Sequence, residues 1–368
     1  MKLSHNSTIY YKKGLIHIDA PVYAFDLDDT LINLGGAPGK GAAANAKWDW
    51  WNSEVLPHLQ NLSKKATIAI FTNQTAISRR GQSAIQLLQT KLQEIVDDLG
   101  FTPFIYIASD YDAARKPATA MWALFLTHLN YVPTDIKYIG DAAGRRGDFA
   151  ATDRYFAHNI GAEFLTPEQY FLNNPAVKFL PTIYDNNTIT ALVVSEKEAM
   201  ENLNKIKEQV NSYPKPIVVF LSGPPASGKS TLAVGAFPTF IRINQDTLGT
   251  KAKTKAAVKA AVAAKTNIVI DKLFGDESAR TEYLALIPKD WTRICICFDV
   301  NRSVAEHLNW VRCDSGIMQK LIPDIVYAKF YKHYSEPKKS EGFDDILHYS
   351  PLISETAPIA QFINRWYV

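Results

Sequence analysis

The chain has 368 residues, enough for two domains of roughly 150–200 residues each, and its 47% hydrophobic and 21% charged residues suit buried cores rather than a disordered or fibrous chain. A formal net charge of +3 permits a polyanionic partner without demanding one. No apolar run of about 18 residues is present, which excludes a membrane-spanning helix, and the opening MKLSHNSTIYYKKG lacks the apolar stretch of a secretory leader. The three cysteines, Cys295, Cys297 and Cys313, have no metal-ligand spacing. They read as reduced thiols of an intracellular protein, with Cys295 and Cys297 expected on opposite sides of one strand. The expected compartment is the nucleus in a eukaryote and otherwise the cytoplasm, and a monomer is the default.

After a polar lead-in over residues 1–20, Val22-Tyr-Ala-Phe-Asp26-Leu-Asp28-Asp-Thr30 is a hydrophobic strand that delivers two carboxylates, two positions apart, at its C-terminal end. Open α/β sheets bind ligands there. Asp-x-Asp-x-Thr after a strand resembles the first motif of the haloacid dehalogenase (HAD) phosphatases. A small-residue loop, Gly35 to Ala46, leads into Trp48-Asp-Trp-Trp51, whose rings either stack on bases or pack on the sheet. Ala66 to Thr72 is a second apolar strand, ending in a hydroxyl, and Arg79 just beyond it is a candidate contact to a nucleic-acid backbone. Arg115-Lys116 precedes a proline-opened helix, Pro117 to Leu129. Lys137-Tyr-Ile-Gly140-Asp141 is a third strand ending in a carboxylate, with Asp148 and Asp153 following.

Singly, Thr72 could be a cap, Lys116 a solvated charge and Asp141 a turn former. In this order they read as one phosphatase site. Asp26 is the expected nucleophile, forming an aspartyl-phosphate. Asp28 is the expected proton donor to the leaving alkoxide and then the base toward water. Thr72, Lys116 and Arg115 bind phosphate oxygens. Mg²⁺ is expected on Asp26, Asp28 and Asp141, with a backbone carbonyl among the ligands, to neutralise the charge that a carboxylate nucleophile meets.

Asn173 to about Asn187 reads as the boundary, giving domains 1–180 and 181–368, and a charged helix from Glu196 to Val210 follows it. Ile217 to Leu221 is then a buried strand, and Gly223-Pro-Pro-Ala-Ser227-Gly228-Lys229-Ser230-Thr231 matches G-x-x-x-x-G-K-[ST] at every fixed position. A helix begins at Ser230. Backbone N–H groups and the helix N-terminus then cradle ATP phosphates, with Lys229 on the β- and γ-phosphates and Ser230 on Mg²⁺. Phe240 to Asp246 is a strand ending in Asp246, the expected base toward an acceptor hydroxyl. Lys251 to Ala264 is either a solvated alanine-rich helix or a basic face. Thr266 to Asp271 is a strand ending in a carboxylate suited to the Mg²⁺ shell. The helix from Ser303 offers Arg302, His307 and Arg312 as phosphate clamps, although a lone histidine there is more often a surface residue.

A HAD phosphatase followed by a P-loop kinase resembles the polynucleotide kinase 3′-phosphatase family. Phe71-Thr-Asn-Gln, Arg115-Lys-Pro, Gly140-Asp-Ala-Ala-Gly-Arg145, Asp148-Phe-Ala-Ala-Thr-Asp153-Arg, Asp246-Thr-Leu-Gly249 and Glu341-Gly-Phe carry the likeness over about residues 10–355. The resemblance implies an α/β chain: a HAD-like doubly wound domain, then a P-loop kinase domain. It further implies removal of 3′-phosphates and ATP-dependent phosphorylation of 5′-hydroxyls at DNA or RNA ends. Asp26, Asp28, Thr72, Lys116 and Asp141 would carry the first activity, with Arg115 and Arg79 near the nucleic acid. Lys229, Ser230 and Asp246 would carry the second. Animal members begin with a forkhead-associated domain, which this chain has no room for, so that route to scaffold proteins is expected to be absent. Three kinase positions depart from the family pattern. Asn-Arg-Asp reads Asn244-Gln245-Asp246, Asp-Asn-Thr-Asn reads Asp271-Lys-Leu-Phe274, and one of two lid arginines is Trp310, leaving Arg312. Gln245 cannot supply the charge-assisted bidentate contact of an arginine, a loss of roughly 2–4 kcal/mol in the transition state. Two other readings stay open: a phosphatase whose second half only binds nucleotide or DNA, and a small-molecule phosphatase fused to a small-molecule kinase.

Overall fold

The computed structural model describes residues 2–3, 8–10, 14–34, 47–176, 178–179 and 186–367. No helix among them is long and apolar enough to cross a membrane. They form two compact units. The first comprises residues 1–183 with Trp310–Leu321 and Arg365–Val368, and the second Tyr184–Asn309 with Ile322–Asn364. The division near residue 183 lies close to the boundary expected at 180, and two later segments join the first unit.

The strands of the first unit are β1 (Lys2–Leu3), β2 (Thr8–Tyr10), β3 (Val22–Phe25), β4 (Ile32–Leu34), β5 (Trp48–Trp50), β6 (Thr67–Asn73), β7 (Phe104–Ala108), β8 (Ile136–Ile139) and β9 (Glu163–Leu165). Its main sheet runs β1-β2-β7-β6-β3-β8-β9, and β7, β6, β3, β8 and β9 are parallel. The chain leaves β3 toward β6 and β7, then returns to the other side of β3 for β8 and β9. The carboxyl ends of β3 and β8 therefore flank the switch point where such sheets bind ligands. Alternation fixes both faces. Ile68, Ile70, Ile105 and Ile107 meet Leu88, Leu92, Ile95 and Leu99 of the helix Gln82–Leu99. Ala69, Phe71, Phe104 and Tyr106 meet Met121, Trp122 and Phe125 of the helix Ala120–Leu129. Each fully buried aliphatic or aromatic side chain contributes about 1.5–3 kcal/mol, so both helices are locked against the sheet. β4 and β5 form a small antiparallel pair. Trp48 donates to Glu94 (2.9 Å) and Trp50 to Asp98 (3.1 Å), so these rings pack on the helix Gln82–Leu99 instead of standing free for bases. The loop Gly35–Ala46 lies outside the described residues.

The second unit contains β10 (Val193–Val194), β11 (Ile217–Ser222), β12 (Ile241–Asn244), β13 (Ile268–Asp271), β14 (Thr292–Phe298), β15 (Asp345–Tyr349) and β16 (Ile353–Ser354). Its five-stranded sheet, ordered β12-β13-β11-β14-β15, is parallel throughout, and β10 pairs with β16 separately. Two of the covering helices are Lys229–Ala236 on one face and Lys251–Ala263 on the other. Lys251 and Lys255 both pair with Glu282, so the alanine-rich helix spends part of its charge within the fold. The α/β class and the doubly wound order hold in both units. Cys295 and Cys297 do not face opposite ways. Residues two apart on a strand share a face, and both are buried against Val258, Phe274 and Tyr283. Glu341, part of the Glu-Gly-Phe motif, forms a buried two-bond pair with Arg280 (2.7 and 2.8 Å) and so serves the fold.

Candidate functional site

In the first unit, Asp26 follows β3 directly and is 7% exposed. Its N–H donates to the Ile139 carbonyl of β8 (2.9 Å), which fixes the two strand ends together. The Lys116 ammonium donates to Asp26 (2.5 Å), Asp153 (2.7 Å) and the Tyr138 hydroxyl (2.9 Å). Asn73, at the end of β6, holds the main chain of Lys116 at both its N–H (2.9 Å) and its carbonyl (3.3 Å). Thr72 is buried, and its hydroxyl accepts from Gln74 (3.0 Å), which also donates to Asp28 (2.6 Å). The other carboxylate oxygen of Asp28 is buried with no hydrogen-bond partner among the described residues. Thr30 ties the Asp-x-Asp-x-Thr loop to Asp141, whose N–H it accepts (3.0 Å).

Asp26, Asp141 and Asp153 can place one oxygen each within 4.8 Å of one another. Gly140 makes this possible, because a Cβ there would stand 2.5 Å from the Asp153 carboxyl carbon. The three acids face one buried lysine, and the electrostatics follow. Burial pushes Asp26 up to about 7 against the pull of Lys116. Burial, then Asp153 and Asp26, push Asp141 up to about 9. Burial also raises Asp28, opposed by the Gln74 hydrogen bond. Burial works against the charge on Lys116, but Asp153 and Asp26 outweigh it and hold its pKa above the ordinary value. Hard oxygen donors with excess negative charge suit a divalent cation. Asp28 offers its carboxylate to Gln74 and is not in the three-acid group. Asp148, named beside Asp153 in the sequence, is turned away into a pair with Arg145 (2.9 Å). Arg115 lies over the Tyr111 ring at 4.7 Å. Arg79 is on the helix Ala76–Arg80, and its side chain falls outside the described residues.

In the second unit, the phosphate loop joins β11 to the helix Lys229–Ala236. Gly228 has φ +87°, a left-handed conformation that turns the chain into the helix. Gly223 and Ser227 are buried, and Thr231 is exposed on the first turn. Lys229 folds onto its own loop, donating to the carbonyls of Gly223 (3.0 Å) and Pro224 and to Ser227 (3.2 Å). Ser230 donates to Asp271 (2.8 Å), the buried acid at the end of β13. Arg242 (3.0 Å) and Asn244 (2.9 Å) donate to the same carboxylate oxygen. Asp246 is exposed on the helix Gln245–Leu248. Gln245 is half-buried, and its side-chain oxygen has no partner among the described residues. Arg312 and Trp310 lie on the part of the helix Arg302–Asp314 that groups with the first unit. His307 is 2% exposed and bonded to the Ile363 carbonyl (2.8 Å), so it is a core residue and neither a surface histidine nor a clamp.

Residues 21–171 match the family model described as polynucleotide kinase 3 phosphatase. The chain is 35% identical over 344 residues to the bifunctional polynucleotide phosphatase/kinase of Schizosaccharomyces pombe, covering 91% of this chain and 81% of that one. The chain belongs to the polynucleotide phosphatase/kinase family. A family relative from Acanthamoeba polyphaga mimivirus is 30% identical over 379 residues, covering 91% of this chain and 87% of that one. The polynucleotide 3′-phosphatase of Saccharomyces cerevisiae is 27% identical over 206 residues, covering 41% of this chain but 87% of its own length.

Asp153, Tyr138, Gln74 and Asn73 are the members of the first site that residue spacing did not single out for a role. Asp153 had a signal in the sequence, since a glycine directly before Asp141 leaves room for a second acid to approach.

Proposed function

We propose that the chain is a bifunctional nucleic-acid end-processing enzyme that hydrolyses 3′-phosphates in its first unit and phosphorylates 5′-hydroxyls with ATP in its second. The observation that carries this is the buried Asp26–Lys116 pair beside two further acids, on the same chain as a complete phosphate loop backed by Asp271. The placing of this activity in DNA strand-break repair belongs to the same proposal.

In the first unit Asp26 attacks phosphorus, and the bond to the 3′-oxygen breaks. Lys116 and Thr72 hold the non-bridging oxygens, and Arg115 meets the strand beside them. Asp28, whose hold on a proton burial strengthens, gives its proton to the departing oxygen. It then takes one from the water that hydrolyses the aspartyl-phosphate. Gln74 aims Asp28 and leaves its second oxygen free for that exchange. Asp26 and Asp141, with Asp153 beside them, would hold Mg²⁺, which supplies neutralisation of the charge between carboxylate and phosphate when bound. In the second unit the backbone of Gly223 to Thr231 receives the ATP phosphates. Lys229 exchanges its loop carbonyls for phosphate oxygens, Ser230 and Asp271 would hold Mg²⁺, and Asp246 takes the proton of the 5′-hydroxyl.

A weaker kinase, or a second half that only binds nucleotide or DNA, is the second reading, and it is favoured by Gln245 standing beside Asp246 and by Arg242 being paired with Asp271. A labelled oligonucleotide with a 3′-phosphate and a 5′-hydroxyl tests both. The expected result is loss of the 3′-phosphate with Mg²⁺ alone and gain of a 5′-phosphate when ATP is added. Loss of the 3′-phosphate without 5′ gain supports the weaker-kinase reading. No change at either end, with release of phosphate from sugar phosphates, rejects end processing.

A further inference from the structure

The turn Arg115–Thr119 that delivers Lys116 precedes its helix, which starts at Ala120, and beyond its own backbone bond from the Ala118 N–H to the Arg115 carbonyl (3.0 Å) it is held by side chains from elsewhere. Asn73 clamps it from the β6 side. On its other side the fixings come from distant sequence. Asn159 donates to the Pro117 carbonyl (3.0 Å). The Thr119 N–H donates to Asp314 (3.0 Å), and the Thr119 hydroxyl accepts from Arg365 (2.6 Å). Asp314, 1% exposed in its side chain, also pairs with Arg365 (2.5 Å) and accepts from the Tyr367 hydroxyl (2.8 Å). Asn159 is itself fixed by Trp366, bonding its carbonyl (2.8 Å) and its N–H (2.7 Å). Trp366 stacks on His158 at 3.8 Å, and Tyr367 stacks on Trp310 at 5.7 Å. All of these residues belong to the first unit, although Asp314 and Arg365 to Tyr367 follow the phosphate loop in sequence.

The geometry points to Asn159, Asp314 and Arg365 as positioning residues for Lys116, so that 3′-phosphate removal depends on two segments encoded after the phosphate loop. This rests on Lys116 acting on phosphate in the first unit. The Lys116 ammonium reaches three oxygens at once, and its main chain is anchored at Asn73 on one side only. Removing the opposite anchors lets the turn rotate about Asn73. A displacement of about 1 Å at a reacting group lowers the rate by about 10- to 100-fold.

The test uses the full chain and measures kcat and KM for 3′-phosphate release, with the melting temperature of each variant. Asn159→Ala and Arg365→Ala are expected to lower kcat by about 10- to 100-fold with KM changed by less than about 3-fold. Arg365→Lys, which keeps a cation for Asp314 and Thr119, restores most of kcat. Ile95→Val, a core change away from the turn, loses melting temperature without losing kcat. Should Arg365→Ala fail to fold, Asn159→Ala, which leaves the buried ion pair intact, carries the test. Folded Asn159→Ala and Arg365→Ala proteins with wild-type kcat overturn the proposal, as does a kcat loss that Ile95→Val reproduces. A wild-type chain that releases no 3′-phosphate overturns the functional reading itself, and the wild-type arm reveals that separately.

Discussion

The two units solve the problem of handling phosphate in opposite ways. In the first, the central lysine and acids are already engaged, with Lys116 between Asp26 and Asp153, Gln74 on one oxygen of Asp28, and Thr30 on the Asp141 carboxylate. In the second, Lys229 is folded onto its own loop and Asp246 stands exposed, while Ser230, Arg242 and Asn244 are already set against Asp271. A buried carboxylate nucleophile has to be desolvated in advance, and fixed partners must offset that cost before substrate arrives. A phosphate loop needs no buried nucleophile. Its main binding groups are backbone N–H donors set by the turn into the helix, and the lysine changes partners when phosphate comes.

The largest effects should fall where the contrast is sharpest. Asp26→Asn removes the proposed nucleophile, so 3′-phosphate release should fall by at least about 10⁴-fold in a single-turnover assay, while 5′ phosphorylation persists. Lys229→Ala should lower 5′ phosphorylation by about 10²–10³-fold and leave 3′-phosphate release unchanged, read from the two ends of one labelled oligonucleotide. Gln245→Arg sharpens the contrast by restoring a cation beside Asp246. It should raise the 5′-phosphorylation rate by about 30-fold, measured at saturating ATP, and no gain would mean that the acceptor site lies elsewhere. The smallest effect is on stability. Burial lowers the pKa of His307 from 6.5 to about 4. The unfolded chain therefore takes up that proton first as pH falls. Stability is fully present above pH 6.5 and drains by up to about 3 kcal/mol between pH 6.5 and 4. Denaturant unfolding followed against pH checks this, and His307→Gln should flatten that part of the curve.

Much of this contrast was legible in the residues. Asp26, Thr72 and Asp141 sit at or just past the ends of apolar strands, where the parallel sheet must present its ligand edge, and the phosphate loop declares itself by its glycines and lysine. What escaped depended on three-dimensional closure. Asp153 joins Asp26 and Asp141 only because Gly140 has no side chain, whereas Asp148, equally acidic and nearer in sequence, is captured by Arg145. The Trp48–Trp51 run reads equally as a stacking platform or a packed segment, and what decides for packing is that Glu94 and Asp98 take the indole N–H groups of Trp48 and Trp50. His307 read as a surface residue because one helix position says nothing about the Ile363 carbonyl that meets it. The Lys116 turn gave no sign that Asp314 and Arg365 brace it, since those partners lie about two hundred residues or more away.

Trapping the phosphoenzyme tests the central claim most directly. Wild type, Asp26→Asn and Lys229→Ala are each mixed with an oligonucleotide carrying a labelled 3′-phosphate, quenched in acid and digested for peptide mapping. The account predicts label on the peptide containing Asp26 in wild type and in Lys229→Ala, and none in Asp26→Asn. Continued 3′-phosphate release by Asp26→Asn, with no label on that peptide in wild type, would contradict it.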